Sequence, residues 1–123
     1  MAVTYTTAVK NSRLDAVVTA IGATGVLEIG TTSMASILAT IALDSTAGTT
    51  SGGVLTFSSF PKSDTSADNS GTAAAAQIRT ASGGTDIVTG LTVGTSGSDI
   101  NLTSTSITAG QTVTISSATI THA

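Results

Sequence analysis

Residues 26–57 read VLEIGTTSMASILATIALDSTAGTTSGGVLTF, and this stretch decides the fold class. It holds three short apolar runs, at 26–29, 37–43 and 54–57, separated by glycine, serine and aspartate. Apolar runs with such boundaries are typical of β-strands. In the second run, alternation places four apolar residues on one face of a strand: Ile37, Ala39, Ile41 and Leu43. The stretch therefore predicts successive strands.

The same pattern continues toward the C-terminus. Further strands are predicted at 71–80, 86–93, 99–102, 106–108 and 111–121, with a polar loop at 62–70. The first of these strands contains four consecutive alanines, which by propensity favour a helix. Its glycine-rich boundaries and the alternation after the alanines favour a strand. In the last strand the apolar positions change parity at Ser116-Ser117, which predicts a β-bulge.

One helix is predicted ahead of these strands, at residues 8–21. Its apolar residues recur at helical spacing and form one face: Val9, Leu14, Val17, Val18 and Ile21. Thr7 is suited to cap the start of the helix and Gly22 its end. We expect the apolar face to pack on the β-structure or on a neighbouring subunit.

These elements predict a mainly β fold, an antiparallel β-sandwich or jelly roll with one N-terminal α-helix. A length of 123 residues fits a single domain, 1–123. It divides into an N-terminal arm at 1–7, the helix at 8–21 and the β-sandwich at 25–123. The arm has strand-like composition and contains Tyr5, one of three aromatic residues. It is a candidate anchor on a neighbour's sheet edge, and a frayed terminus is the alternative.

Composition argues against several functional classes. The chain has 26 threonines, 17 serines, four basic residues and a formal net charge of −3, whereas nucleic-acid binding needs clustered lysine and arginine. It has no cysteine for disulfides or thiolate metal sites. The most apolar run is too short to span a bilayer, and no secretory signal is visible at the start. We therefore expect no nucleic-acid partner and no membrane partner.

Residues suited to catalysis or metal binding are few and dispersed. His122 is the only histidine and has no identifiable orienting partner, and no Gly-x-Ser-x-Gly motif is present. The segment DTSADN at 64–69 has the look of a cation loop, but it lacks the spacing and the distal glutamate of a calcium-binding loop. A solvated loop with Asx-turns is the default interpretation. The sequence predicts a non-enzymatic protein with no catalytic residues, cofactor or metal.

Five stretches of the chain resemble a family of small proteins of tailed bacteriophages and prophages. They are NSRLDAVVTAI at 11–21, LEIGTTSMASILAT at 27–40, SGGVLTF at 51–57, DTSADNSGTA at 64–73 and TSTSITAGQTVTISSATITHA at 103–123. The resemblance covers nearly the whole chain and is most specific in the last stretch. It implies a virion protein, above all a head decoration or minor capsid (cement) protein. Such proteins are commonly β-sandwiches or jelly rolls on the outer shell. The family offers no catalytic residues to carry over.

The resemblance leads to one principal functional expectation. The protein is expected to be made in the bacterial host cytoplasm and to bind the major capsid protein at subunit junctions on the capsid surface. Because an alanine-rich core is thin, a homo-oligomer is favoured, and we expect a trimer. Two alternatives stay open. One is a tail or head-tail joining component, and the other is a surface module that binds host glycans, for which aromatic platforms are lacking.

Overall fold

The computed structural model describes residues 4–121. One α-helix, α1 (Thr7–Ile21), precedes all the strands. The strands are β1 (Val26–Gly30), β2 (Ile37–Ala42), β3 (Gly48–Ser51), β4 (Val54–Phe57), β5 (Lys62–Asp64), β6 (Gly71–Thr72), β7 (Ala75–Arg79), β8 (Asp86–Gly94), β9 (Ile100–Leu102), β10 (Ser106–Ile107) and β11 (Val113–Thr121). A short 3-10 helix, Thr32–Met34, connects β1 to β2. The mainly β fold with one N-terminal helix is confirmed.

Within the described residues, nine strands form one curled sheet in the order β2-β1-β7-β8-β9-β11-β4-β3, with β5 also paired to β11. Strands β6 and β10 form a small second ladder. This arrangement is consistent with the expected sandwich or jelly roll. The sheet is mixed, because β8 and β9 run parallel whereas the other pairs are antiparallel.

The loop between β8 and β9 brings Asp99 back beside Thr92. The backbone N–H of Asp99 donates to the Thr92 hydroxyl at 2.9 Å. In return, the Thr92 N–H donates to Asp99 Oδ2 at 3.0 Å. These two bonds hold the connection against β8, so that β9 starts beside the end of β8 and runs in the same direction.

The core lies inside the curl of the sheet and is almost entirely aliphatic. Leu27 and Ile29 of β1 lie opposite Ile78 and Ala76 of β7, and each of the four is at most 1% exposed. Other buried side chains come from the remaining strands: Leu38, Ile41, Leu55, Phe57, Leu91, Ile100, Leu102, Ile107, Val113, Ile115 and Ala118. Since apolar burial stabilises in proportion to area, a core with one buried aromatic depends on complete closure of the sheet.

Both ends of α1 have identifiable caps. The Thr6 hydroxyl accepts a hydrogen bond from the Val9 N–H at 3.4 Å. Thr6 has the extended backbone of an N-cap (φ −66°, ψ 157°), whereas Thr7, the expected cap, is the first helical residue. Gly22 ends the helix as expected, with a φ of 74° that favours glycine.

The apolar residues of α1 divide between the core and the surface. Leu14 and Ile21 are 3% and 1% exposed, and Val17 and Val18 pack partly against the core. Val9 is 43% exposed. At 3.6 residues per turn it lies about 140° around the helix from Leu14, outside the buried face. Its packing on a neighbouring subunit stays a prediction.

The run of alanines does not form a helix, but the single strand predicted at 71–80 is interrupted: β6 and β7 are separate strands, and Ala73 and Ala74 lie between them. Ala75 and Ala76 open β7, where Ala76 lies between Ile29 of β1 and Leu91 of β8. A buried position between two larger aliphatic side chains suits a small residue. Here the pairing with two neighbouring strands outweighs the intrinsic helix propensity of alanine.

The predicted bulge in β11 is also present. The register with β9 shifts between Ile115 and Ser117, which leaves Ser116 as the extra residue. Ile115 before the bulge and Ala118 after it are both buried. The additional residue thus keeps both halves of β11 facing the core despite the change in sequence parity.

Two short strands lie where the sequence predicted none. The segment Lys62–Asp64, expected to be part of a polar loop, pairs with β11 as strand β5. The segment Gly48–Ser51 pairs with β4 as strand β3. Neither segment has an apolar run, so hydrophobic periodicity carries no information about them, and their pairing partners alone determine the strand conformation.

Leu14→Ala is expected to lower the free energy of unfolding by about 2–5 kcal/mol, because it leaves a cavity beneath α1. Val9→Ala on the same helix serves as the matched control and is expected to change the stability by less than about 0.5 kcal/mol. Chemical denaturation monitored by circular dichroism measures both. Equal destabilisation by the two substitutions would contradict the assigned helix face.

Candidate interaction surfaces

The described part of the chain, residues 4–121, has no pocket of ligand size and no cluster of three metal-ligating side chains. In the same residues no helix is long and apolar enough to cross a membrane. His122, the only histidine, lies outside the described residues. The features suited to interaction are therefore surfaces, strand edges and polar clusters.

One edge of the large sheet is covered by the segment 64–69, here called the seam. The Asp64 carboxylate Oδ2 accepts a hydrogen bond from the Thr40 N–H of β2 at 3.0 Å. The backbone N–H of Asp68 donates to the Leu38 carbonyl at 2.8 Å. The side-chain amide of Asn69 donates to the carbonyl of Ile37 at 2.9 Å. The seam thus gives partners to backbone groups of an edge strand that would otherwise be available to another chain.

The seam is attached on its other side to the start of β11. The Ala67 N–H donates to the Gln111 carbonyl at 2.9 Å, and the Ala67 carbonyl accepts from the Gly110 N–H at 2.8 Å. Ala67 itself is buried. Because β5 immediately before the seam pairs with β11, the seam joins the β2 edge to β11 and closes the curl of the sheet.

The seam contains the acidic segment considered above as a cation loop. Asp64 Oδ1 accepts from the Ser66 N–H at 3.0 Å, which is the expected Asx-turn, and Oδ2 accepts from Thr40. Both carboxylate oxygens thus accept backbone N–H donors. The segment acts as a structural connection, and sequence spacing gave no sign of the contact with β2.

A second polar contact fastens the end of β2 to β5. Lys62 Nζ lies 2.7 Å from Asp44 Oδ1, and the Ser59 hydroxyl donates to Asp44 Oδ2 at 2.6 Å. The hydrogen bonds from Lys62 and Ser59 hold the pKa of the Asp44 carboxyl below its ordinary value of 3.8. The carboxylate therefore remains charged into mildly acidic solution.

A buried carboxylate lies on the other face of β1. Glu28, the only glutamate, is 2% exposed. The residues on either side of it, Leu27 and Ile29, face the core, so Glu28 is buried on the opposite face of the strand. Gln77 opposite it donates to Glu28 Oε1 at 2.8 Å, and the Arg79 guanidinium lies 3.6 Å from the same oxygen. Arg79 Nε also lies 2.8 Å from Asp86 Oδ1, as an ion pair without hydrogen-bond geometry. Sequence reasoning placed Glu28 in a strand but gave no sign of this cluster.

The solvent side of α1, together with Tyr5 just before the helix, forms a surface that we call the outer helix face: Tyr5, Val9, Arg13, Ala16 and Ala20. Tyr5 and Val9 are 42% and 43% exposed and are the two large apolar side chains most exposed among the described residues. The Arg13 guanidinium lies 4.7 Å from the centre of the Tyr5 ring. The structure thus brings Tyr5 and Val9 together with Arg13 and separates them from Leu14 and Ile21.

The basic residues are unevenly distributed. Lys62 and Arg79 form ion pairs within the body of the protein. Lys10 and Arg13, both on α1, form none with any residue in the range 4–121. Six of the seven acidic residues lie outside the helix. The helix surface therefore combines exposed apolar area with unpaired positive charge on an otherwise acidic molecule.

A search of family models, curated proteins and solved structures finds no match to this chain.

Asp64→Ala is expected to destabilise the fold by about 1–3 kcal/mol, because it leaves the Thr40 N–H at the closed edge without an acceptor. Asp68→Ala is the matched control, since Asp68 contributes only its backbone to the seam. Denaturation curves for the two variants give the comparison. An Asp64→Ala variant as stable as the Asp68→Ala variant would contradict the role of the seam.

The Asp44 contact is expected to make stability depend on pH in the acid range. Since the folded-state pKa lies below the unfolded value of 3.8, this contribution is present above pH 3.8 and is lost as the pH falls through the folded-state pKa. The stability difference between the unmodified chain and Asp44→Asn should therefore shrink on acidification. Ser45→Ala, an exposed neighbour, provides the control. A difference that stays constant with pH would exclude the ionic contribution.

Proposed function

We propose that this protein is a non-catalytic structural protein of a bacteriophage virion that binds the outer surface of the capsid and stabilises the junctions between capsid subunits. The resemblance to small tailed-phage proteins supports the class. The observation that carries the binding role is the outer helix face, where the most exposed large apolar side chains lie beside unpaired positive charge. The proposed partner is the major capsid protein.

The chemistry of the outer helix face suits a protein partner. Tyrosine and arginine are enriched among the residues that dominate binding energy at interfaces. The stacked Tyr5–Arg13 pair presents a flat ring and a guanidinium that forms no ion pair with a carboxylate of residues 4–121. A capsid surface that offers a carboxylate next to an apolar patch would complement it.

The remaining surface suits repeated, weak contacts. Serine and threonine are abundant and several are exposed on strands, such as Thr49, Thr56 and Thr92. Uncharged hydroxyl groups form water-mediated hydrogen bonds without the desolvation cost of charges. The sealed β2 edge also limits uncontrolled strand pairing between neighbours on a crowded shell.

The protein is proposed to act as a homo-oligomer, most simply a trimer located at three-fold positions of the shell. Many identical weak contacts would then add through multivalency. A tail or head-tail joining component is the nearest alternative, and a host-glycan-binding module is a more distant one. Copy number and position in the particle distinguish these roles.

Quantitative mass spectrometry of purified particles is expected to find hundreds of copies per virion, recovered with heads after heads and tails are separated. Low copy number in the tail fraction would favour the joining role. Complete absence from particles would overturn the proposal.

Tyr5→Ala is expected to weaken binding to undecorated shells by about tenfold or more, as for an interface anchor. Ser82→Ala, an exposed position in the turn between β7 and β8, is the control and should bind like the unmodified chain. Co-sedimentation with shells measures both. Equal binding by Tyr5→Ala and the control would exclude the outer helix face as the contact.

A further inference from the structure

The connection between β1 and β2 has a backbone that its sequence does not favour. Ser33 and Met34 both have a positive φ, at 58° and 57°. Across them the Ala35 N–H donates to the Thr32 carbonyl at 3.3 Å, which gives the form of a type I′ turn. Such turns are dominated by glycine, asparagine and aspartate, because a β-carbon crowds the backbone in the left-handed region. Other contacts must therefore hold this turn.

The side chain of Met34 makes such a contact. A methyl group on Gly30 would lie 2.8 Å from both Sδ and Cε of Met34, so the thioether lies directly against the backbone of β1. Gly30 is buried, and its ladder partner on β7, Ala75, is also small. Because paired residues of neighbouring strands share a face of the sheet, two small residues leave space on this face for the Met34 side chain.

The remaining support of the turn is polar and local. The Thr31 N–H donates to the Ser36 carbonyl at 3.0 Å, and the Ser36 N–H donates to the Thr31 hydroxyl at 3.0 Å. The other side chains of the connection are exposed: Thr32, Ser33, Ala35 and Ser36. Met34 is thus the apolar side chain that fastens this connection to the sheet.

We propose that Met34 is an oxidation-sensitive clamp: conversion of its thioether to the sulfoxide by hydrogen peroxide releases the turn between β1 and β2. Met34 is half-buried, so a small oxidant reaches it from solvent. A lone pair of the sulfur attacks one peroxide oxygen, the O–O bond breaks, and the departing hydroxide takes the proton of the transferred OH group to give water. The sulfur is thereby oxidised by two electrons and the peroxide is reduced.

The sulfoxide does not fit the position of the thioether. A methyl group on Gly30 would already lie 2.8 Å from the sulfur, so there is no room for an added oxygen on that side. The surface beneath Met34 is a glycine backbone paired with β2 and β7, which offers no side-chain donor to the sulfoxide oxygen, and a polar group buried without a partner is costly. We expect the oxidised side chain to leave this face. The turn then loses the contact that offsets its left-handed backbone.

The clamp does not depend on binding to a shell. It lies between β1 and β2, whereas the outer helix face lies on and just before α1. Failure of capsid binding would leave this inference intact, and a turn that is insensitive to oxidation would leave the outer helix face available for shell contact.

Hydrogen exchange measured residue by residue, with and without peroxide treatment, tests the release. In full-length chain whose Met34 is oxidised, as peptide mapping by mass spectrometry verifies, the amides of Met34 and Ala35 are expected to exchange at least about tenfold faster. These amides donate within the turn, to the carbonyls of Thr31 and Thr32. The amide of Gly84, which donates in the turn between β7 and β8, is the internal control. Unchanged exchange of Met34 and Ala35 after oxidation would overturn the proposal.

Two substitutions separate the thioether from the rest of the chain. Met34→Gln introduces a polar side chain of similar length and is expected to accelerate exchange in the turn without peroxide. Met34→Leu keeps an apolar side chain of similar volume and should not respond to peroxide, although it retains Met1, the other methionine. A peroxide response of equal size in Met34→Leu would contradict the proposal. Reduction by a methionine sulfoxide reductase should restore slow exchange, and fast exchange that persists after complete reduction would likewise contradict it.

Discussion

The hydrogen bond from the Thr40 amide to the Asp64 carboxylate, with its two neighbours in the seam, is the contact on which the closed form of this sheet depends. A curled sheet buries its inner face fully only when its first strand is held near a strand further along the sheet. Here β2 never pairs directly with β11. A short polar segment, the seam, lies between them and forms hydrogen bonds on both sides. Its side chains and backbone provide the hydrogen bonds that another strand would provide in a fully paired sheet.

The closure of the sheet matters because the core consists largely of small side chains. Its side chains are aliphatic with one buried phenylalanine, and several positions that face the interior are alanines. Such a core tolerates few gaps, since each unfilled volume removes contacts that no large ring nearby can replace. The polar contacts at the margins, Asp44 with Lys62 and Glu28 with Gln77 and Arg79, hold strands together where apolar area is scarce. Their value lies in the geometry that they fix.

Exposed apolar side chains and basic side chains without an ion pair are unevenly distributed over the described surface. The strands β1 and β7 each pair with two neighbouring strands, and their charged side chains, Glu28 and Arg79, lie close to each other. The N-terminal helix and the residue Tyr5 before it differ, since the exposed Tyr5 and Val9 lie there together with Lys10 and Arg13, which form no ion pair with residues 4–121. The exposed apolar and basic side chains are thus concentrated on and next to the N-terminal helix.

The sequence by itself determined those features that depend on local pattern. Apolar runs with glycine and serine boundaries placed most strands, helical spacing placed α1, and the parity change at Ser116-Ser117 located the bulge, because each is encoded in the spacing of neighbouring residues. The same pattern identified Leu14 and Ile21 as helix residues of the buried face, and composition singled out Tyr5. Only the tertiary structure decided that Val9 faces solvent, that β3 and β5 are strands, that Asp64 closes an edge and that Glu28 is buried. The reason is physical. Asp64 and Glu28 bond to partners 24 and 49 residues away in the chain, and the pairing of β3 and β5 and the covered side of the helix depend on which elements pack against them, which the spacing of neighbouring residues does not show.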